Sequence, residues 1–122
     1  MSEFLDRVRH STATTGTGTS VTLASTAYNN AFLTVAEAGG VDGRKYSYVI
    51  EDGTDFEIQD DQTWSSAGNT FTRGTPKISK IAGTAGTTKM NLSGSASVRL
   101  IASAKTLTDL FTNAKKQAII FG

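Results

Sequence analysis

Short alternations of apolar and polar residues dominate the chain and predict strands. Val21 and Leu23 fall on one face of a strand, with Ser20 and Thr22 on the other. Tyr46, Tyr48 and Ile50 alternate with Lys45, Ser47, Val49 and Glu51, while Phe56 and Ile58 alternate with Asp55, Glu57 and Gln59. These two runs flank Asp52-Gly53 and predict a hairpin. A two-residue Asp52-Gly53 turn would pair Val49 with Phe56. A three-residue loop, Glu51 to Gly53, would pair Tyr48 with Phe56 and Tyr46 with Ile58, with Gly53 in the left-handed position of a G1 bulge. A one-residue slip moves every side chain to the other face, so burial decides the register. The three-residue loop is expected: it puts Tyr46, Tyr48, Phe56 and Ile58 toward a core and Asp55 and Glu57 toward solvent.

Further along, "TWSSAGNTFTRG" predicts a second hairpin turning at Ala67-Gly68-Asn69, with Trp64 and Phe71 near its ends. Strands follow around Ile78, over Met90–Leu92, and in "SASVRLIAS", where Val98 and Leu100 share a face. Upstream, the Thr/Gly-rich stretch after Leu5 and Val8 reads as an extended edge strand or as an N-terminal arm over about residues 1–19. Phe32, Val35 and Ala36 stand at helical spacing before Gly39-Gly40, which fits one or two helical turns or an ordered loop. After residue 103 the period changes. Thr106 can cap a helix, and Leu107, Leu110, Phe111 and Ala114 recur at i, i+3, i+4 and i+7 before the apolar Ile119, Ile120 and Phe121. This tail either covers a face of its own domain or docks onto another chain. The expected fold is all-β: a small antiparallel sandwich or barrel-like domain over residues 1–103 with a short helical segment. A C-terminal amphipathic helix and apolar tail would occupy residues 104–122.

Composition supports β-structure. Twelve Gly stand against one Pro, and Thr is abundant; Gly marks turns and bulges and Thr favours strands. The 122 residues suit one compact domain. The absence of Cys removes disulfides and thiolate metal sites. No apolar run approaches a membrane span, and the first ten residues mix charges without an apolar core, unlike a secretory signal. A soluble protein used without export is expected. Net charge is +1, yet residues 1–61 sum to −6 and residues 62–122 to +7. Either the halves interleave and neutralise each other, or an acidic edge meets a neighbour's basic edge. The basic residues are scattered and lack interleaved aromatics, so nucleic-acid binding is not expected.

Candidate chemistry is sparse. His10 lies in a polar stretch and is expected at the surface; as the single His, it alone would have to serve any Ser-based triad. Gly-Thr-Gly-Thr at 16–19 is followed by no Lys and no helix start, so it is not a phosphate loop. Glu51, Asp52, Asp55, Glu57, Asp60 and Asp61 form an acidic run without the alternating ligands of a calcium loop. Their expected role is a solvated rim, with Asp55 and Glu57 as partner contacts. Trp64 is expected in core packing, with a sugar-stacking platform as its alternative. No catalytic residue, cofactor or metal is expected.

Three stretches resemble a family of small tailed-phage virion proteins and phage fibre N-terminal domains. They are "DRVRHSTATTGTGTSVTLA", "YSYVIEDGTDFEI" and "NTFTRG" followed by "KMNLSGSASVRLIA", spanning residue 6 to about 102. The family's opening has Asp-Arg-Val, a Thr-rich run and Gly-Thr-Gly-Thr; next come an Asp-Gly turn with an aromatic-Glu after it, and then a Thr-Arg step. The sequence departs at Arg9, where Lys is commoner, and in the acidic "QDDQTWSSAG"; residues 103–122 fall outside the likeness. The resemblance implies a non-enzymatic structural component of a virion assembled in the bacterial cytoplasm. It would act as a tail, neck or baseplate adaptor joining fibre or spike proteins to the tail body, as a homo-oligomer contacting other virion proteins but no membrane. The chain is short after the β-domain, so no receptor-binding head is expected. A trimeric capsid decoration protein is the alternative, and a carbohydrate-binding module on Trp64 is the rival of another class. Contact candidates are Leu107, Leu110, Phe111, Ile119, Ile120, Phe121, Asp55 and Glu57, with Asp52 and Gly53 as structural turn residues.

Overall fold

A computed structural model describes residues 5–102. Ten strands lie along them: β1 (Arg9–Thr12), β2 (Thr15–Gly16), β3 (Ser20–Thr22), β4 (Lys45–Asp52), β5 (Asp55–Ser65), β6 (Thr70–Thr72), β7 (Ile78–Ile81), β8 (Thr84–Gly86), β9 (Leu92–Ser93) and β10 (Ala96–Ile101). Eight form one antiparallel sheet in the order β1-β10-β4-β5-β6-β3, with β7 on β5 and β8 on β7; β2 and β9 make a separate ribbon. The sheet curls into a half-barrel whose core includes Val21, Tyr46, Tyr48, Ile50, Phe71 and Val98. β5 bends between two partners: Phe56 to Ile58 pair with β7, and Trp64 and Ser65 with β6.

The central hairpin takes neither register weighed from the sequence. Asp52 pairs with Asp55, Ile50 with Glu57 and Val49 with Ile58, so the loop is Gly53-Thr54. Gly53 has φ 65, as the first central position of a type II′ turn requires, and this turn matches the twist of the strands. The result corrects the expected facing. Ile50 joins Tyr46 and Tyr48 inside, opposite Glu57 and Gln59, which are also buried. Phe56 and Ile58 sit on the outer side and are only half-buried.

A bulge then resets the alternation. Tyr48 pairs with Gln59 but Tyr46 with Gln62, leaving Asp60 and Asp61 opposite Ser47. Asp61 takes φ 53, and the Ser47 hydroxyl donates to Asp60 Oδ1 at 3.0 Å. The extra residue shifts parity by one, which turns Trp64 inward to pair with Phe71. The second hairpin turns through four residues, Ser66–Asn69, one more than expected.

The short helical segment is not formed. Thr34 and Glu37 cap each other reciprocally, each side-chain oxygen accepting the other's N–H at 3.0 Å. The Gly40 N–H returns to Val35 O and the Gly39 N–H to Ala36 O, with Gly39 at φ 95. These are the two bonds of a helix-ending Schellman motif. Start and stop signals therefore abut, leaving one turn. The C-terminal helix lies outside the described residues, as do Leu107, Leu110, Phe111, Ile119, Ile120 and Phe121.

The Thr-rich stretch read as an edge strand or arm is woven into the domain. β1 pairs with β10 and β2 with β9. On its other side β1 meets the end of β3 through side chains in place of a ladder. Thr12 Oγ1 donates to Thr22 O at 2.5 Å, and Thr14 Oγ1 accepts the Thr22 N–H at 2.9 Å. The Ala24 N–H reaches Ser11 O at 2.9 Å. These bonds satisfy backbone groups that the open edges of a half-barrel would otherwise leave unpaired.

Gly40 marks the tightest approach of the loop to the core. A Cβ there would lie 2.4 Å from Val35 Cγ1 and 2.8 Å from Val35 O, whereas one at Gly18 would meet nothing within 4 Å. Gly40→Ala is expected to cost about 1–3 kcal/mol through overpacking, and Gly18→Ala to be near neutral. Melting temperatures of the two variants check this: equal values would place the loop off the core.

Candidate functional site

A buried ion pair sits inside the half-barrel, where Glu57 was expected to face solvent. Arg73 follows β6 and is 2% exposed; Glu57, on β5, is 0% exposed. The guanidinium grips the carboxylate side-on, with Nη2 to Oε1 at 2.5 Å and Nε to Oε2 at 2.9 Å. Two more donors complete the carboxylate: the Met90 N–H on Oε1 at 2.9 Å and Gln59 Nε2 on Oε2 at 2.7 Å. Two further arginine donors go to Gly16 O at 3.0 Å and Met90 O at 2.7 Å. Gln59 in turn spans Gly74, donating to its carbonyl and accepting its N–H.

Burial alone would push the Glu57 carboxyl up, but the Arg73, Gln59 and Met90 hydrogen bonds outweigh it and hold it below its ordinary value. Burial, with the Glu57 charge adding to it, pushes the Tyr48 phenol up; its hydroxyl donates to Thr72 O at 2.7 Å. A carboxylate accepting four hydrogen bonds keeps its charge and has no lone pair directed at a reacting group. Chemically, the cluster is an anchor: it ties β2, β5, the end of β6 and the approach to β9 at one point.

The other carboxylates of the acidic run are dispersed along the strands. Asp52 holds Ser93 through its N–H and hydroxyl, both at 2.8 Å, so the turn residue ties the hairpin to β9. Asp55 accepts the Ala82 N–H at 3.0 Å. Glu51 pairs with Arg99 at 3.2 Å and Asp60 with Lys77 at 3.8 Å. Each of these pairs, like Glu57–Arg73, joins the acidic first half of the chain to the basic second half. Among the described residues no three His, Asp or Glu side chains gather to hold a metal ion, and no helix is long and apolar enough to cross a membrane.

Two sequence expectations change, those for Glu57 and His10, while core packing of Trp64 holds and its alternative falls. Glu57 cannot be a surface contact, because the II′ turn puts it on the core face. Trp64 is 4% exposed and its Nε1 donates to Asn69 Oδ1 at 3.2 Å, so it packs in the core and offers no sugar-stacking face. His10 is fully buried instead of lying at the surface. Its Nε2 accepts the Val35 N–H at 3.1 Å, which leaves Nδ1 as the protonated nitrogen donating to Ala24 O at 2.9 Å. That tautomer is neutral, and burial lowers its pKa from 6.5 despite the opposing pull of the Ala24 and Thr26 carbonyls and Glu37.

No family model, curated protein or solved structure matches the chain.

The two shifted groups predict an acid-sensitive fold. His10 has a depressed folded pKa, so the unfolded chain takes up its proton first and stability declines as pH falls below 6.5. Glu57 is also depressed, so its contribution is complete above 4.5 and is lost as pH falls through the lower folded value. Denaturant midpoints measured from pH 8 down to pH 3 should decline in two stages. His10→Gln should remove the first stage; its persistence would assign that stage to another group, since the chain has one His.

Proposed function

We propose that the chain is a structural component of a tailed-bacteriophage virion, an adaptor of the tail, neck or baseplate that joins fibre or spike proteins to the tail body. One observation carries this reading: the three stretches that resemble the phage family converge on the buried ion pair. The Thr-Arg step supplies Arg73, the aromatic-Glu after the Asp-Gly turn supplies Glu57, the Gly-Thr-Gly-Thr run supplies Gly16 O, and "KMNLS" supplies Met90. Residues that mark the resemblance in sequence are thus those that meet in space, as expected of one shared structural solution. Carboxylates engaged in internal bonds and a sheet closed at its seam suit a rigid module that positions neighbours.

A trimeric capsid decoration protein would use the same scaffold in higher copy number. The carbohydrate-binding reading loses its platform with Trp64 buried. Quantitative mass spectrometry of particles purified from a lysate of the host that produces this chain separates the rest. A handful to a few dozen copies per particle is the expected result. Hundreds of copies would indicate decoration, and absence from particles would refute the virion reading.

A further inference from the structure

The outer side of the sheet carries an apolar band set by register. Arg99, Val49, Ile58 and Ile78 are successive cross-strand partners over β10, β4, β5 and β7. Phe56 stands in the next row, between Glu51 and Lys80. Val49, Phe56, Ile58 and Ile101 line an open depression of about 310 Å³, rimmed by Glu51 and Arg99. Ile78, at the far end of the row, is 41% exposed. Polar residues would ordinarily occupy the outer face of a half-barrel, and apolar ones there mark a surface that binds something.

The chain itself supplies a fitting occupant. β10 ends at Ile101, in the wall of the depression, so residues 104–122 begin within a few residues of it. Their sequence carries the apolar spacing Leu107, Leu110, Phe111 and Ala114. Four strands span about 14 Å at the usual strand separation, and the eleven residues 106–116 can reach that far even at the short rise of about 1.5 Å per residue. A tether this short gives an effective concentration in the millimolar range, which favours the chain's own segment over a free partner. We propose that residues 104–122 dock on the outer face of their own domain, with Leu107, Leu110 and Phe111 filling the depression between Val49, Phe56, Ile58 and Ile101. The proposal concerns the chain alone and stands or falls apart from the virion reading.

The chain has no cysteine, so introduced pairs report proximity without background. In the full chain, Ile58→Cys is combined in turn with Leu107→Cys, Leu110→Cys and Phe111→Cys. Ile78→Cys serves as a second anchor should Ile58→Cys fail to fold. Thr17→Cys, an exposed position next to the separate β2–β9 ribbon and outside the four strands of the band, is the control anchor. A disulfide closes only where the Cα atoms come within about 7 Å. The expected result after mild oxidation is a monomeric, intramolecular disulfide for at least one outer-face pair and none for the Thr17 pairs, read from non-reducing gels and intact mass. Disulfides found only in dimers would give the face to a second copy. Failure of every outer-face pair to close, or equal closure with Thr17→Cys, would also overturn the proposal.

Discussion

The fold depends on one buried ion pair. Glu57 on β5 and Arg73 just after β6 enter a core of otherwise apolar and neutral side chains, and both are removed from water. Desolvating two charges costs several kcal/mol per ion, repaid only when geometry is good and every remaining donor and acceptor is used. Here the carboxylate has four donors and the guanidinium reaches two backbone carbonyls besides. The pair therefore contributes specificity more than raw stability. If β5 slipped by one residue, Glu57 would leave Arg73 and the arginine would be buried without its partner, a far costlier error than exposing Phe56.

Around that anchor the half-barrel solves a second problem, its open edges. β1 and β3 do not pair as strands; threonine hydroxyls and a neutral histidine bridge them and the loop beyond. Thr12 and Thr14 hold Thr22, and His10 holds Ala24 and Val35. The Thr-rich run thus supplies hydroxyls where a continuous ladder is missing. This links composition to closure and gives the single histidine a structural task that requires it to stay uncharged. Acid would loosen the seam first and the anchor later.

Much of the architecture was legible in the sequence. Period-two alternation located most of the strands, and Val21, Leu23, Tyr46, Tyr48, Val98 and Leu100 fell on the core side as read. The register of the central hairpin was not legible, because aromatic Phe56 and apolar Ile58 looked more fit for burial than Glu57 and Gln59. Local alternation cannot show that an arginine sixteen residues away will neutralise the glutamate, nor that Asp60-Asp61 will form a bulge and reverse parity before Trp64. The strict alternation of Glu57 with apolar residues, read together with a lone Thr-Arg step after the second hairpin, was the available signal. His10 was misread for the same reason: its partners are backbone groups of a distant loop, invisible to periodicity. The single turn at Thr34–Gly40 shows that helical spacing without room between its caps makes no helix.

A double-mutant cycle on Arg73→Met and Glu57→Gln, followed by equilibrium unfolding, tests the central claim most directly. Each single substitution should cost about 3–5 kcal/mol, since it strands a buried polar or charged partner. The double variant should lose little more than either single, giving a large coupling energy. Single losses below about 1 kcal/mol, or losses that simply add, would contradict the pair's role as the anchor of the fold.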